Sequence, residues 1–320
     1  MRIGSVELSS VVRLAPMAGI TNPPFRLVAK ECGSALTTSE EIAAVALCMR
    51  SARTLEMSRL LPGERPLAMQ LLGRDPAVLA EAARVLEGMG ADIVDLNMGC
   101  PVQKVVKKGE GAALMQDPKH AALIFRAMRS AIRVPLTIKI RCGWDEHHEN
   151  AVEIARVAEA EGVDAITIHP RSRAQQFQGK AKWDVIGEVV GHVSIPVTGN
   201  GDVLSMSDAR GMMAETGCHA VMIGRGALGR PWVFDHTFEQ LPADVRYAYK
   251  TRIIHRHADL ILSFFPEKYA LIQLRKHVAW YVAGLGNSNA LRRAIYGSPD
   301  CQAVWKLFME FWDNAAECEA

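Results

Sequence analysis

The chain of 320 residues is long enough for one large α/β barrel with a small appendage, or for two medium domains. Hydrophobic residues make up 49% and charged residues 22%, which excludes a disordered chain, and the formal net charge of +2 gives no bulk sign of a nucleic-acid partner. The seven cysteines include no C-x-x-C pair, which argues against a zinc ribbon or a disulfide framework. No run reaches the roughly 18 apolar residues of a membrane span, and no signal peptide is recognisable, so we expect a soluble, cytoplasmic protein that needs no metal.

Short apolar runs alternate with longer amphipathic runs over the first 240 residues. The predicted strands are Val11–Pro16, Ala35–Ser39, Pro66–Leu71, Asp92–Leu96, Leu136–Ile140, Ala165–His169, Ile195–Gly199 and Ala220–Ile223. Predicted helices between them include Asp75–Met89, Asp117–Ile132, Glu149–Glu161 and Ser205–Glu215. Asp75-Pro76 and Asp117-Pro118 are typical helix starts, and Gly90, Gly162 and Gly217 are typical helix ends.

The predicted strands show little alternation between apolar and polar residues, which indicates a parallel sheet covered on both faces. Eight consecutive βα units favour a TIM (β/α)8 barrel. An open doubly wound sheet shows the same alternation and is the alternative. The lack of a G-x-G-x-x-G motif after the first strand favours the barrel.

The strand pattern stops after Trp232, and the segment Pro242-Ala243-Asp244 resembles a linker and a helix start. We therefore predict a barrel domain over residues 1–240 and an all-helical domain over 241–320. The predicted helices of the tail are Tyr247–Phe265, Tyr269–Leu285, Asn289–Tyr296 and Asp300–Ala315.

The charge of the chain is unevenly distributed. The segment Arg246–Arg293 holds nine Lys and Arg residues and two acids, which leaves 28 basic and 33 acidic residues elsewhere. A solvated helix face is the ordinary explanation of a charged run, but an excess this large in one module indicates a polyanion partner such as RNA.

Polar residues follow the predicted strands at the end where TIM barrels carry their chemistry. Asn200-Gly201-Asp202 follows the seventh strand and Gly224-Arg225 follows the eighth. Glycines at these two places allow backbone N–H groups to approach a phosphate. The alternative is a pair of tight βα turns with a surface arginine.

Lys139 and Arg141 lie two residues apart on one predicted strand, so their side chains share a face. A buried lysine there can stabilise an anionic ring or form a Schiff base, and a salt bridge at the strand end is the structural alternative. Cys100 lies on a loop shaped by Gly99 and Pro101 directly after the fourth strand. A thiol in that position can donate a proton at neutral pH, and the following segment, 102–115, is predicted to be a mobile basic lid.

Six motifs carry a resemblance to a known family: L-A-P-M-A-G-I-T at 14–21, D-L-N-M-G-C-P at 95–101, K-V at 104–105, L-T-I-K-I-R at 136–141, N-G-D at 200–202 and M-I-G-R at 222–225. With them the chain resembles the dihydrouridine synthases, flavin enzymes that reduce uridine in tRNA, and most closely their bacterial B-type branch. The tail is similar to the helical tRNA-binding domain of the family through R-K-H at 275–277 and L-R-R at 291–293.

The resemblance implies an FMN-binding barrel, NADPH as the reductant and tRNA as the substrate, with no oligomer required. It implies that hydride comes from the reduced flavin and that Cys100 donates the proton to the uracil. Residues that it assigns to the flavin and its phosphate are Pro16, Met17, Ala18, Gln70, Lys139, His169, Asn200, Gly201, Asp202, Gly224 and Arg225. Residues that it assigns to the substrate are Asn97, Arg141, Arg171, Arg275 and Lys276.

Three positions depart from the family pattern: Glu41 replaces a typically apolar residue, Cys142 a typical threonine, and Pro170 the glycine of H-G-R-T. Three other functions remain open on sequence alone. They are an FMN oxidoreductase of a free small molecule such as a dihydropyrimidine or dihydroorotate, an aldolase that uses Lys139, and a non-catalytic RNA-binding protein. The basic tail disfavours the first, and a yellow purified protein would exclude the second.

Overall fold

The computed structural model describes residues 1–319, with side chains up to residue 314. Its strands are β1 Arg2–Ile3, β2 Val6–Glu7, β3 Val12–Leu14, β4 Thr37–Thr38, β5 Ile42–Ala43, β6 Leu67–Leu72, β7 Ile93–Met98, β8 Leu136–Arg141, β9 Ala165–His169, β10 Val197–Asn200 and β11 Ala220–Ile223. Its helices are α1 Pro23–Glu31, α2 Ala44–Cys48, α3 Ala52–Met57, α4 Pro76–Gly88, α5 Gln103–Val106, α6 Pro118–Ala131, α7 Ala151–Ala160, α8 Trp183–Val190, α9 Met206–Thr216, α10 Ala243–Phe264, α11 Glu267–Tyr281, α12 Ser288–Gly297 and α13 Cys301–Glu319.

Eight parallel strands form a closed ring. They lie in the order β3-β11-β10-β9-β8-β7-β6-β4, and the short strand β5 also pairs with β6. The two ends of this order meet, because the Leu14 N–H donates to Leu36 O at 3.0 Å and the Ala35 N–H donates to Val12 O at 2.9 Å. The predicted TIM barrel is thereby confirmed, and the open doubly wound sheet is excluded.

Each of the eight predicted strands coincides with a barrel strand, with differences confined to its ends. The Asp75 carboxylate caps α4 by accepting from Ala77 N and Val78 N at 2.9 Å, and Asp117 caps α6 through His120 N at 3.0 Å. Gly217 has a φ of 69° at the end of α9. The residues that the sequence predicted to begin or end these helices are thus the residues that cap them in the structure.

The strands of the barrel wall are buried on both faces. Every residue of β6, β7 and β9 is buried, as a parallel sheet between a filled interior and an outer helix layer requires. A charged side chain inside the ring is energetically unfavourable because it is removed from water. Burial accordingly lowers the pKa of Arg13 to about 10, although the charge of Asp95 opposes this. In the described residues 1–319 no helix is long and apolar enough to cross a membrane.

The chain divides into two compact units, Met1–Gly224 and Arg225–Ala320. The second unit contains α10 to α13, where the sequence predicted four helices. Its interior is aromatic, with the Trp232 ring stacked on Phe238 at 5.8 Å and on Tyr281 at 6.1 Å between centroids. The assignment of separate functions to residues 1–240 and 241–320 stays a prediction.

The helical unit carries exposed basic side chains, among them Arg252, Arg256 and Arg293. Two histidines of the same segment, His257 and His277, are buried. Burial, followed by the charge of Lys276, lowers the pKa of His257 to about 3, so this ring is neutral at physiological pH.

Candidate active site

A chain of polar side chains links the three neighbouring strands β6, β7 and β8 inside the barrel. Gln70 Nε2 donates to Asp95 Oδ2 at 2.7 Å, and Gln70 Oε1 accepts from Asn97 Nδ2 at 2.9 Å. The other Asp95 oxygen accepts from Thr137 Oγ1 at 2.5 Å. Because both ends of the Gln70 amide are bonded to protein and the residue is 1% exposed, it joins β6 to β7 in this structure. Its predicted contact with the flavin ring stays a prediction.

The loop that carries Cys100 is held by the side chain of Asn97. Asn97 Oδ1 accepts from the backbone N–H of Gly99 at 3.0 Å and of Cys100 at 2.9 Å. The amide therefore shapes the loop, while its predicted role in holding uracil remains untested by these contacts.

The segment predicted to be a mobile lid is ordered in part, as helix α5 and as a 3-10 helix over Gly111–Gln116. The Ala112 N–H donates to Cys100 O at 3.1 Å. A Cβ on Gly111, whose φ is 61°, would lie 2.8 Å from that same oxygen. Glycine is thus what lets this segment pack directly on the Cys100 loop, and this contact orders it.

The Cys100 thiol is half-buried and has two hydrogen-bond partners. Its sulfur accepts from the Val102 N–H, and the thiol donates to the carboxylate of Glu41. Burial, followed by the negative charge of Glu41, raises its pKa from 9.0 to about 11. The group is consequently a protonated thiol at neutral pH, with its hydrogen directed by a carboxylate.

Arg141 connects the Cys100 loop with the loop that follows β9. Its Nε donates to Gly99 O at 2.6 Å, and its Nη1 donates to Ser172 O and to Gln176 O at 2.9 Å. The residue is 3% exposed, and burial lowers its pKa to about 10. In this arrangement the guanidinium fixes backbone on both sides of the mouth, and the contact with uracil stays a prediction.

Lys139, Asn200 and His169 are brought together from three different strands, and their predicted contacts with the flavin stay predictions. Lys139 Nζ donates to Asn200 Oδ1 at 2.9 Å, and Asn200 Nδ2 donates to Met222 O at 2.7 Å. Burial, followed by the charge of Arg141, lowers the pKa of Lys139 to about 8. Lys139 is therefore still positively charged at pH 7, but it binds its proton less tightly than a lysine exposed to water does.

His169 contributes a neutral ring to this group. Its Nδ1 lies 3.2 Å from Asn200 O, a geometry in which Nδ1 carries the hydrogen and Nε2 is the acceptor. Burial and the nearby charges of Lys139, Arg141 and Arg171 lower its pKa to about 2. The buried Nε2 has no hydrogen-bond partner among the described residues, which makes it a candidate ligand contact.

The glycine loop after β10 is tightly fitted, whereas the one after β11 leaves room for ordinary van der Waals contact. A Cβ on Gly201, whose φ is 130°, would lie 3.0 Å from Ala181 Cβ and 3.1 Å from His169 Nδ1. A Cβ on Gly224 would lie 3.7 Å from Met17 Sδ. The predicted flavin-lining residues Pro16 and Met17 are half-buried and Ala18 is exposed, while the predicted phosphate ligand Arg225 is an exposed residue at the start of the second unit.

Arg171 is placed in the interior, where it pairs with Asp202. Its Nη2 lies 2.7 Å from Asp202 Oδ2 and 2.9 Å from Oδ1, and its Nε donates to Gln178 O at 3.1 Å. Only 1% of Arg171 is exposed. The guanidinium thus acts here as an internal brace between the loops after β9 and β10, and the predicted roles of Arg171 toward substrate and Asp202 toward phosphate stay predictions.

The family model described as dihydrouridine synthase (Dus) matches residues 13–308. This chain belongs to the dihydrouridine synthase family. A probable tRNA-dihydrouridine synthase of Rickettsia conorii is 40% identical over 99% of this chain and 98% of its own length. The tRNA-dihydrouridine synthase B of Pseudomonas aeruginosa is 38% identical over 98% of this chain and 97% of its own.

A solved complex of 2-naphthoyl-CoA reductase with 2-naphthoyl-CoA superposes with a TM-score of 0.59 at 12% identity. The match covers 77% of this chain and 52% of the reductase chain. At that identity the likeness concerns the fold alone, and it agrees with the barrel of a dihydrouridine synthase.

In the helical unit of this dihydrouridine synthase family member, the two predicted substrate residues have structural contacts. Arg275 Nη2 donates to Ser298 O, and Lys276 Nζ lies 5.9 Å from the centre of the Trp280 ring. Both side chains are half-buried. Exposed cations of the same unit, such as Arg252 and Arg256, were not singled out in the sequence, because a charge count carries no information about which face of a helix is covered.

Two acids were also missed as site residues, Asp95 inside the barrel and Glu41 near the Cys100 loop. Asp95 interrupts an otherwise apolar strand, which is a sequence signal for an internal polar contact. Glu41 was noted only as a departure from the family pattern, since its contact with Cys100 depends on tertiary structure. Among the described residues no group of three His, Cys, Asp or Glu side chains is arranged to hold a metal ion.

Proposed function

We propose that this protein is a tRNA-dihydrouridine synthase that reduces the C5–C6 double bond of specific uridines in tRNA, with FMN as its prosthetic group and NADPH as reductant. The observation that carries the proposal is the Cys100 thiol, held protonated by burial at the same barrel mouth as the Lys139 ammonium. Family membership supports it and disfavours the aldolase and the purely RNA-binding alternatives. The proposed setting is the cytoplasm, with a single chain sufficient for activity.

The residues at the mouth suit an anionic, hydroxyl-rich prosthetic group. The buried His169 Nε2 offers an acceptor with no protein partner, and Lys139 offers a cation with hydrogens beyond the one given to Asn200. We therefore assign the holding of FMN to Lys139, His169 and the loops of Gly201 and Gly224, with Pro16, Met17 and Ala18 at its edge. The phosphate role of Arg225 is proposed from the family resemblance alone. Bound there, the flavin would supply hydride to the pyrimidine ring.

Cys100 supplies the proton in this proposal. The Val102 N–H at sulfur and the Glu41 carboxylate at the thiol hydrogen hold the group in one orientation, and Asn97 fixes the backbone beneath it. Since its pKa is about 11, the thiol is fully protonated at pH 7 and protonates carbon only where a strongly basic carbanion develops. Arg141 keeps the loop in place through Gly99 O.

The decisive experiment separates the two half-reactions in Cys100→Ala. Reduction of the bound flavin by NADPH should proceed at the wild-type rate, because the thiol takes no part in it. Formation of dihydrouridine in tRNA should fall by about a hundredfold or more, the usual contribution of a positioned general acid. Cys48→Ala is the matched control, since Cys48 is also half-buried but lies in α2 and donates to Val78 O at 3.7 Å. Equal damage to both half-reactions in Cys100→Ala would refute the assigned role.

The helical unit is proposed to hold tRNA through its exposed cations. Replacing both Arg252 and Arg256 by alanine should weaken tRNA binding and lower the slope of log Kd against log salt by about two, roughly one per phosphate contact. Lys119→Ala on the exposed face of α6 is the control for loss of charge alone. An unchanged slope in the double variant would place the tRNA elsewhere.

A further inference from the structure

Glu41 is the acid in direct contact with the Cys100 thiol. It immediately precedes β5, and its carboxylate accepts the thiol hydrogen bond. Its Oε2 also accepts from Asn97 Nδ2 at 3.1 Å, while Asn97 Oδ1 accepts from the Cys100 N–H at 2.9 Å. One amide therefore fixes both the thiol loop and the carboxylate that faces it.

Glu41 has the partial burial and the raised pKa that suit a side chain that carries a proton. The residue is half-buried, as is Cys100, so the pair lies between the protein interior and the open mouth. Burial raises the pKa of Glu41, the neighbouring charges of Glu110 and Glu40 act in the same direction, and the thiol hydrogen bond opposes them. Among the described residues Glu41 forms no ion pair, and the cation that acts on the thiol is Arg141. The Glu40 carboxylate points elsewhere, to the Gly19 N–H.

The reaction itself requires proton supply. Each reduction of a uracil double bond takes up one hydride and one proton, so Cys100 is left as a thiolate after every turnover. The Glu41 carboxylate beside the thiolate takes a proton from hydronium at the mouth and transfers it to the sulfur. This re-forms the S–H bond and restores the carboxylate, so the cycle is balanced. The transfer is downhill, because the pKa of the thiol is about 11, far above that of any carboxyl group.

We propose that Glu41 is the proton relay of Cys100: it orients the thiol and returns a proton to the sulfur after each turnover. The proposal rests on the role proposed above for Cys100. It assigns to Glu41 a step after dihydrouridine has formed, so its signature is a difference between the first turnover and later ones.

The first test compares single and multiple turnovers of Glu41→Gln, with flavin-loaded enzyme and tRNA that lacks dihydrouridine. The first turnover should stay close to the wild-type rate, because the thiol is still protonated at pH 7. Steady-state turnover should fall by about tenfold or more. Formate added to Glu41→Ala should restore part of the steady-state rate by replacing the lost acid. Glu40→Gln is the matched control, since it removes a carboxylate from the same loop without touching the thiol.

The second test needs no turnover. Alkylation of Cys100 by iodoacetamide, followed by mass spectrometry over a range of pH, reports the thiol pKa. Loss of the Glu41 charge should lower that pKa from about 11, so that Glu41→Gln is alkylated faster than wild type at pH 9, whereas Glu40→Gln shifts less. An unchanged steady-state rate, or an unchanged alkylation profile, overturns the relay. If Cys100→Ala still forms dihydrouridine in a single turnover, the role of Cys100 itself has failed; if it does not, a negative result with Glu41→Gln concerns the relay alone.

Discussion

The ammonium of the half-buried Lys139 makes the stability of the barrel depend on pH in a defined direction. Its pKa is about 8 in the folded protein against 10.5 for an exposed lysine, first because of burial and second because of Arg141. Between these two values the unfolded chain binds the proton and the folded chain does not, so stability rises with pH across this window. Below pH 8 the full cost of the buried charge is present. At about 1.4 kcal/mol per pH unit the difference is about 3 kcal/mol.

Lys139→Met removes this titration together with the hydrogen bond to Asn200. At one pH the two effects oppose each other, since an unpaired Asn200 oxygen costs about 1–3 kcal/mol. The pH dependence separates them: the unfolding free energy of wild type minus that of the variant should increase by about 2–3 kcal/mol between pH 7 and pH 10. Urea unfolding of flavin-free proteins, followed by circular dichroism, measures this difference. Lys119→Met controls for the loss of a surface charge, and a difference that stays constant with pH would refute the argument.

Three further changes test other parts of the structure. Gly199→Ala should destabilise the barrel by about 1–3 kcal/mol in urea unfolding, because the new Cβ would lie 2.4 Å from Met212 Sδ; an unchanged midpoint contradicts the close packing. Asp202→Asn should lower the free energy of unfolding by about 2 kcal/mol in a thermal melt, since it leaves the Arg171 charge buried without its partner, while Asp202 itself is 34% exposed. An unchanged melting temperature would mean that this ion pair does not stabilise the fold. His257→Phe should flatten the acid unfolding profile between pH 6.5 and pH 4 by about 3 kcal/mol, because a folded-state pKa of about 3 makes stability fall as pH drops below 6.5; parallel profiles would contradict the neutral buried ring.

The barrel was predictable because its signals are local. A strand that is buried on both faces is a continuous apolar run, and residues such as Asp75, Asp117 and Gly217 end or begin helices through contacts within one turn. Helix α1 begins with the same signature, Asn22 followed by Pro23, although it was not among the helices named from the sequence. The location of Cys100 and Lys139 at one rim also follows from the sequence, since the carboxyl ends of parallel strands meet at one end of a barrel.

Contacts between side chains of the rim were not predictable, because they join residues far apart in the chain. Asn97 was predicted to hold uracil, which stays a prediction. Its contacts with Gln70, Glu41 and the Cys100 loop were not foreseen. Which of two neighbouring acids faces the thiol depends on how β5 turns against β6, and sequence periodicity carries no such information.

The charged residues also show which features the sequence predicts and which depend on tertiary structure. The sequence by itself determined that the near-balance of 37 basic and 35 acidic residues conceals a basic tail, and that this tail is helical. Only the tertiary structure decided which titratable groups of the tail reach solvent: Arg252 and Arg256 are exposed, whereas the half-buried Arg275 bonds Ser298 O and His257 is buried. The physical reason is that helix formation is encoded within a few residues, whereas the covering of a helix face depends on the other helices packed against it.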